Sequence, residues 1–154
     1  MAKKTIILRG SGFRDEALAV AAITPGHLVE LVNVAGVGKV QKHGTAGGTA
    51  EKAFAVEDEL QGKEIGDDYA INTLVQYDVV QRGQIVNALL ADGESAVIGS
   101  KLESNGDGAL KVVDADATVS DIGVGSVIGV ALEAVDMSDS TGADPTGRIA
   151  VRIL

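Results

Sequence analysis

At 154 residues and a net charge of -9, the chain has room for one domain with one core, and its surface repels phosphate backbones, so nucleic acid is not an expected partner. It contains no cysteine, which excludes disulfides, thiolate zinc sites and a cysteine nucleophile. No apolar run approaches the ~20 residues that cross a membrane as a helix, so no membrane partner is expected either.

The opening MAKKTIILRG carries two lysines before a short apolar run, too short for a signal peptide, and a soluble, unexported chain is expected. Glycine supplies 20 of the 154 residues, well above its usual share, and aromatics only 3%. The core must therefore come from Val, Ile, Leu and Ala, with tight turns between short strands.

Taken in chain order, Thr5–Arg9 is the first strand candidate. Phe13–Ala22 (FRDEALAVAA) is the one helical candidate; its apolar positions fit a helix loosely before Thr24-Pro25-Gly26 stops it. Strand candidates follow at His27–Val32, Gly38–His43, Lys52–Glu57, Leu74–Val80 and Gln84–Leu90. The last is apolar on nearly both faces and reads as a central, buried strand. Ala96–Leu102, Ala109–Val113, Ser126–Val135 and Arg148–Leu154 complete the set. In the closing strand Ile149, Val151 and Ile153 share one face, and in VIGVALEA the period of two puts Ile128, Val130 and Leu132 together. His43–Glu51 and Asp136–Gly147 read as long surface loops. The spacing predicts a mainly β protein, a single-domain β-sandwich or β-barrel with tight hairpins and at most one short helix near residues 13–22. Residues 1–12 read as an N-terminal arm and 13–154 as one β domain.

The segment KLESNGDGALKVVD carries most of a calcium-loop pattern. Counted from Glu103, residues Asn105, Asp107, Gly108 and Leu110 fall into register, but Glu stands first where Asp belongs, and Asp114 last where Glu belongs. An EF-hand needs a helix on each side, and both flanks here are strand-like. Asn105-Gly106 and Asp107-Gly108 are pairs that tolerate positive φ, so the stretch reads as a hairpin turn and no metal site is expected.

Other motifs fall short of chemistry. GVGKV (Gly36–Val40) lacks the earlier glycine and the Ser or Thr of a phosphate loop. GVGSVIG (Gly123–Gly129) misses the third dinucleotide glycine by one residue. No G-x-S-x-G elbow occurs, DSTG (Asp139–Gly142) is not an aspartic-protease motif, and His27 and His43 stand alone at strand ends. The acidic runs Glu57–Glu59 and Asp67-Asp68 read as solvated surface. No cofactor and no catalytic residue are implied, and the chain does not read as an enzyme.

Four blocks nevertheless form a recognisable pattern: ITPGHLVEL, AFAVEDELQGKEIGDDYA, GQIVNALLADGESAVIGSKLESNGDGAL and VIGVALEAVDMSDSTGADPTGRIAVRIL. From about Thr5 to Leu154 the chain resembles the capsid decoration, or cement, proteins of tailed bacteriophages. The resemblance implies a mostly β protein on the outer surface of a virion, attached as oligomers to the major capsid protein and stabilising contacts between its subunits. It transfers no catalytic residue. The alternative is a small oligomeric phage-encoded hydrolase. Trimeric nucleotide hydrolases of this size carry a glycine- and serine-rich C-terminal motif with an arginine, where this chain ends in the plain strand RIAVRIL.

Two expectations concern assembly. A strand apolar on both faces in a short chain predicts a homo-oligomer, a trimer favoured over a dimer because trimers suit local three-fold positions of a lattice. The N-terminal segment concentrates Lys3, Lys4 and Arg9 around the β-prone Thr5, Ile6, Ile7 and Leu8, followed by Gly10-Ser11-Gly12. It reads either as an arm that adds to a neighbour, capsid protein or adjacent subunit, or as the first strand of the domain's own sheet.

Overall fold

A computed structural model of the protein describes residues 3–114, 126–139 and 147–154. Gly123, Gly125 and Ser140–Gly142, which belong to two of the motifs above, lie outside these residues, as does most of the loop before Gly147.

Among the described residues the regular structure is strand, apart from one short 3-10 turn. In order, the strands are β1 (Ile7–Arg9), β2 (Phe13–Ala19), β3 (Leu28–Val34), β4 (Val37–Lys42) and β5 (Ala53–Ala55). After a single 3-10 turn at Glu59–Gln61 come β6 (Leu74–Val79), β7 (Ile85–Leu89), β8 (Ser95–Ala96), β9 (Lys101–Ser104), β10 (Leu110–Val112), β11 (Val127–Ala131), β12 (Val135–Asp136) and β13 (Arg148–Ile153). Strands β2-β4-β3-β5-β6 close into a small barrel, β1-β7-β13-β11-β9-β10 form a six-stranded sheet, and β8 pairs with β12. The mainly β expectation holds, with a barrel and a sheet in one molecule.

The helical candidate at 13–22 is a strand. Phe13–Leu18 pair antiparallel with Leu74–Val79 along the whole of β6, while Leu18 and Ala19 pair parallel with Lys39 and Val40. Glu, Ala and Leu favour helix locally, but the preference is small beside a full ladder of cross-strand bonds. The period of two survives only where the strand enters the barrel: Ala17 and Ala19 are buried, and Phe13 to Glu16 are exposed. That exposed stretch concealed the pattern.

Alternation along β3 and β5 joins barrel to sheet. Val29, Ala53 and Ala55 face the barrel interior with Val40, Val75 and Tyr77. Their chain neighbours Leu28, Phe54 and Val56 point the other way, into the core beneath the sheet, with Ile6, Val86, Leu102, Leu110, Ile128, Ile149, Val151 and Ile153. Phe54 is 0% exposed, and burying such a ring contributes about 2–3 kcal/mol before entropy is counted. The two β units thus share one hydrophobic layer. The closing strand behaves as its period predicts: Ile149, Val151 and Ile153 are all buried while Arg152 is exposed.

The period fails in β11. Both Ile128 and Ala131 enter the core, and Val130 is only half buried. The cause is a bulge: Val127 faces Glu103 and Gly129 faces the very next residue, Leu102, so one extra residue shifts the side chains that follow. Gly129 sits where a Cβ would collide with the Val151 side chain, so the absent side chain is what lets β13 approach.

Residues Asn105–Ala109 connect β9 to β10, with Leu110 facing Ser104. The Asn105 N–H bonds the Ala109 carbonyl at 2.9 Å, and the Asp107 carboxylate accepts the Ala109 N–H at 3.0 Å. Gly106 and Gly108 have φ of 90° and 86°. Strands stand where an EF-hand places helices, and Glu103 lies within β9, 3.6 Å from the Lys111 ammonium. The turn also docks on the barrel: the Leu28 N–H bonds the Gly108 carbonyl at 2.8 Å, and a Cβ on Gly108 would meet the His27 ring at 2.9 Å.

Candidate functional site

The segment Lys3–Arg9 is laid against the body of the protein. Ile7 and Arg9 pair antiparallel with Val86 and Ile85, making β1 the border of the six-stranded sheet. Ile6 is 0% exposed in the shared core; its N–H bonds the Glu57 carboxylate at 3.1 Å, and its carbonyl accepts the Asn87 N–H at 2.7 Å. Of the two sequence readings, the structure has the domain's own first strand. Lys4 and Arg9 are exposed, while Lys3, Thr5, Ile7 and Leu8 are half buried. Ile6 is fully inside.

Lys3 forms an ion pair with Glu133, whose carboxylate also accepts the Ala150 N–H at 2.8 Å. Burial works to raise the Glu133 carboxyl, and these two bonds together outweigh it and hold the group below its usual range. Lys3 is thereby fastened to the segment after β11, whose Glu133 is in turn bonded to β13. Two concavities flank Lys3. One, of about 430 Å³, is lined by Lys3, Lys4, Glu57, Glu59, Lys63, Glu64 and Ile65. The other, of about 270 Å³, is lined by Lys3, Asn87, Glu133 and Arg148. Arg148 donates to the carbonyls of Pro25 and Ile65 at 2.8 and 2.7 Å, and burial lowers its pKa. It acts as a clamp, tying two loops of the barrel side to β13.

The acidic run Glu57–Glu59 departs from the solvated reading. Glu57 and Asp58 are 5% and 6% exposed, and only Glu59 is solvent-facing. Glu57 has a backbone partner in Ile6. Asp58 has an orphan oxygen: its Oδ1 is buried with no hydrogen-bond partner among the described residues. Asp58 lies on a third concavity, of about 460 Å³, beside Asp67, Asp68 and the buried Tyr69. Burial pushes the Tyr69 phenol up to about 12, and its hydroxyl donates to the Val56 carbonyl at 2.7 Å. Asn87, buried at 1% exposure with both side-chain polar atoms unpartnered among the described residues, is another polar group that sequence reasoning missed. Neither carried a signal, because each lies in a run that reads equally well as exposed or as plain strand.

The histidines are structural. His43, 2% exposed, lies 2.7 Å from the Ser104 hydroxyl and ties the glycine-rich loop after β4 to β9. The His27 Nδ1 accepts the Thr24 N–H at 2.9 Å. Burial, with help from Lys42, lowers the His27 pKa to about 4, so the ring is neutral near pH 7. No group of three His, Asp or Glu among the described residues is placed to hold a metal ion.

No family model matches the chain, and no curated protein matches it. Among solved structures, the fold is similar to that of the head fiber gp8.5 N base of bacteriophage phi29, with a TM-score of 0.59 over 92% of this chain and 93% of that one, at 12% identity.

Proposed function

We propose that the protein is a structural component of a tailed-phage head, carried on the outer surface of the capsid. There it binds the major capsid protein and stabilises contacts between its subunits. The observation that carries this reading is the fold likeness to a phage head fiber base along nearly the full length of both chains. The sequence resemblance to capsid decoration proteins points the same way, and a structural role of this kind needs no catalytic residue.

Attachment follows from the surface. Lys4 and Arg9 are exposed cations at the β1 border of an otherwise acidic chain, suited to acidic groups on a capsid subunit or an adjacent copy. Phe13, Leu31, Val37 and Leu74 are 68%, 58%, 52% and 52% exposed, which supplies apolar contact area on the barrel. A homotrimer over local three-fold positions is the assembly this reading favours.

The test is addition of the purified protein to heads assembled without it, followed by sedimentation and cryo-electron microscopy. Saturable binding, with density over capsid subunit junctions, is the expected result. Failure to co-sediment at any salt concentration, together with turnover of a nucleotide or sugar substrate, overturns the proposal in favour of the hydrolase.

A further inference from the structure

The outer face of the barrel departs from the polar surface that a solvated sheet normally presents. Ala17, Ala19, Val40 and Val75 fill the interior, so their chain neighbours Leu18, Lys39 and Leu74 point outward. Leu74 stands opposite Leu18, Leu18 opposite Lys39, and Lys39 opposite Val32, in one row across β6, β2, β4 and β3. The next row, at the tip of the β3–β4 hairpin, is the pair Val34 and Val37. The same side of β3 is covered at one end and open at the other. Leu28 is sealed in the core beneath the six-stranded sheet, whereas Val34 is 39% exposed and, across from it, Val37 is 52% exposed. Beyond Leu18 and Leu74 the next pair on this face is Glu16 and Gln76, which line a concavity of about 410 Å³ together with Leu60, 91% exposed.

Lys39 stands within this band. It is half buried, its ammonium has only a long 3.5 Å contact to the Asn72 amide oxygen, and it makes no ion pair among the described residues. In water that costs nothing. Under a dry partner surface an unpaired ammonium is strongly disfavoured, so whatever covers the leucines and valines has to bring an acceptor to Lys39.

We propose that this outer barrel face is the one laid against the head, and that it takes a capsid-subunit surface of apolar side chains carrying a carboxylate opposite Lys39. The inference rests on the reading above that the protein binds the major capsid protein, and adds which face does so and what chemistry it meets. Charge decides between occupants. A second copy docked on this face about a two-fold axis would set Lys39 near its own symmetry mate inside an apolar contact, where like charges repel. A surface with one carboxylate completes the lysine, and the leucines and valines around it exclude water from the pair.

The test is equilibrium binding of labelled protein to heads assembled without it, with sedimentation velocity of the free protein run alongside. The parent should bind, with an affinity that falls as salt rises. Val37→Asp places a carboxylate in the apolar band and should weaken binding about ten-fold or more. Lys39→Glu sets like charges together and should do the same, while Lys39→Arg stays within about three-fold of the parent. Ile98→Ser, at a 71% exposed position between β8 and β9, should bind as the parent does. Circular dichroism establishes that each variant is folded, and should Val37→Asp not fold, Lys39→Glu decides. Heads bound equally well by the parent and by the Val37 and Lys39 variants overturn this inference alone. A parent that does not bind heads overturns the capsid reading beneath it, and this inference with it. A change of oligomeric state in the free Val37→Asp or Lys39→Glu protein assigns the face to a second copy, which also overturns it.

Discussion

Truncating Ile6 to alanine separates a docked first strand from a loose arm. Ile6 is 0% exposed and sits in the core shared by barrel and sheet. The change removes three carbon groups, about 2.4 kcal/mol of transfer free energy at about 0.8 each. The space left behind raises the loss to about 3–4 kcal/mol, within the ~2–5 kcal/mol seen for such truncations. For a chain of this size each kcal/mol moves Tm by about 2–4 °C, so a fall of about 6–16 °C is expected. The assay is urea unfolding monitored by circular dichroism, reading the midpoint at unchanged slope. Lys4→Ala, at an exposed neighbouring position, is the control and should stay within about 0.5 kcal/mol of the parent. A loss below about 1 kcal/mol for Ile6→Ala would refute the docked strand and restore the free arm.

His27 should make stability sensitive to mild acid. Its folded value of about 4 lies below the ordinary 6.5, so the neutral ring is the form the fold favours. This contribution is whole above pH 6.5 and drains as pH falls towards 4, to a total of about 3 kcal/mol. Urea midpoints between pH 7 and 4 should fall more steeply for the parent than for His27→Gln, and parallel curves would contradict the assignment. Gly106→Val forces a β-branched residue into φ of 90° and brings a Cβ within 2.9 Å of the Ala46 nitrogen. It should cost at least about 2 kcal/mol in the same assay. If Asn105–Ala109 only turns the chain, neither millimolar calcium nor chelator should move Tm. A bound ion at one hundred times its Kd would instead add about 2.7 kcal/mol, easily seen by calorimetry.

Much of the fold was legible because alternation and glycine punctuation are local signals. β3, β4, β6, β7, β9, β10 and β13 fall within or beside the predicted runs. Two long runs each conceal a break. Ala96–Leu102 divides at a turn where the Ser100 N–H bonds the Val97 carbonyl at 3.0 Å and Gly99 has φ of 92°. Ser126–Val135 divides between β11 and β12. β2 was hidden because its first half has solvent on both sides, so no period could form. The site was less legible than the fold. Glu57 and Asp58 look like any acidic surface pair, and the Ile6 N–H that the Glu57 carboxylate accepts is distant in sequence. Asn87 lies in a strand whose neighbours Val86 and Ala88 gave no hint that an amide would be sealed beside them.

The two borders of the six-stranded sheet are finished differently. On the β10 side, the Leu110 carbonyl accepts the Ala91 N–H at 2.8 Å, the Val112 N–H bonds the Glu94 carboxylate at 2.9 Å, and Leu90 bridges Leu110. That border is spent. The barrel closes on itself and has no border at all. Among the described residues, strand addition to the sheet therefore has one open end, the three residues of β1. Among the described residues, a six-stranded sheet with one open border is a chain stopper for its own ribbon: two copies can join at β1, and no third can extend that sheet. Copies crowded together at high local concentration could pair by this route but could not extend this sheet into a fibre.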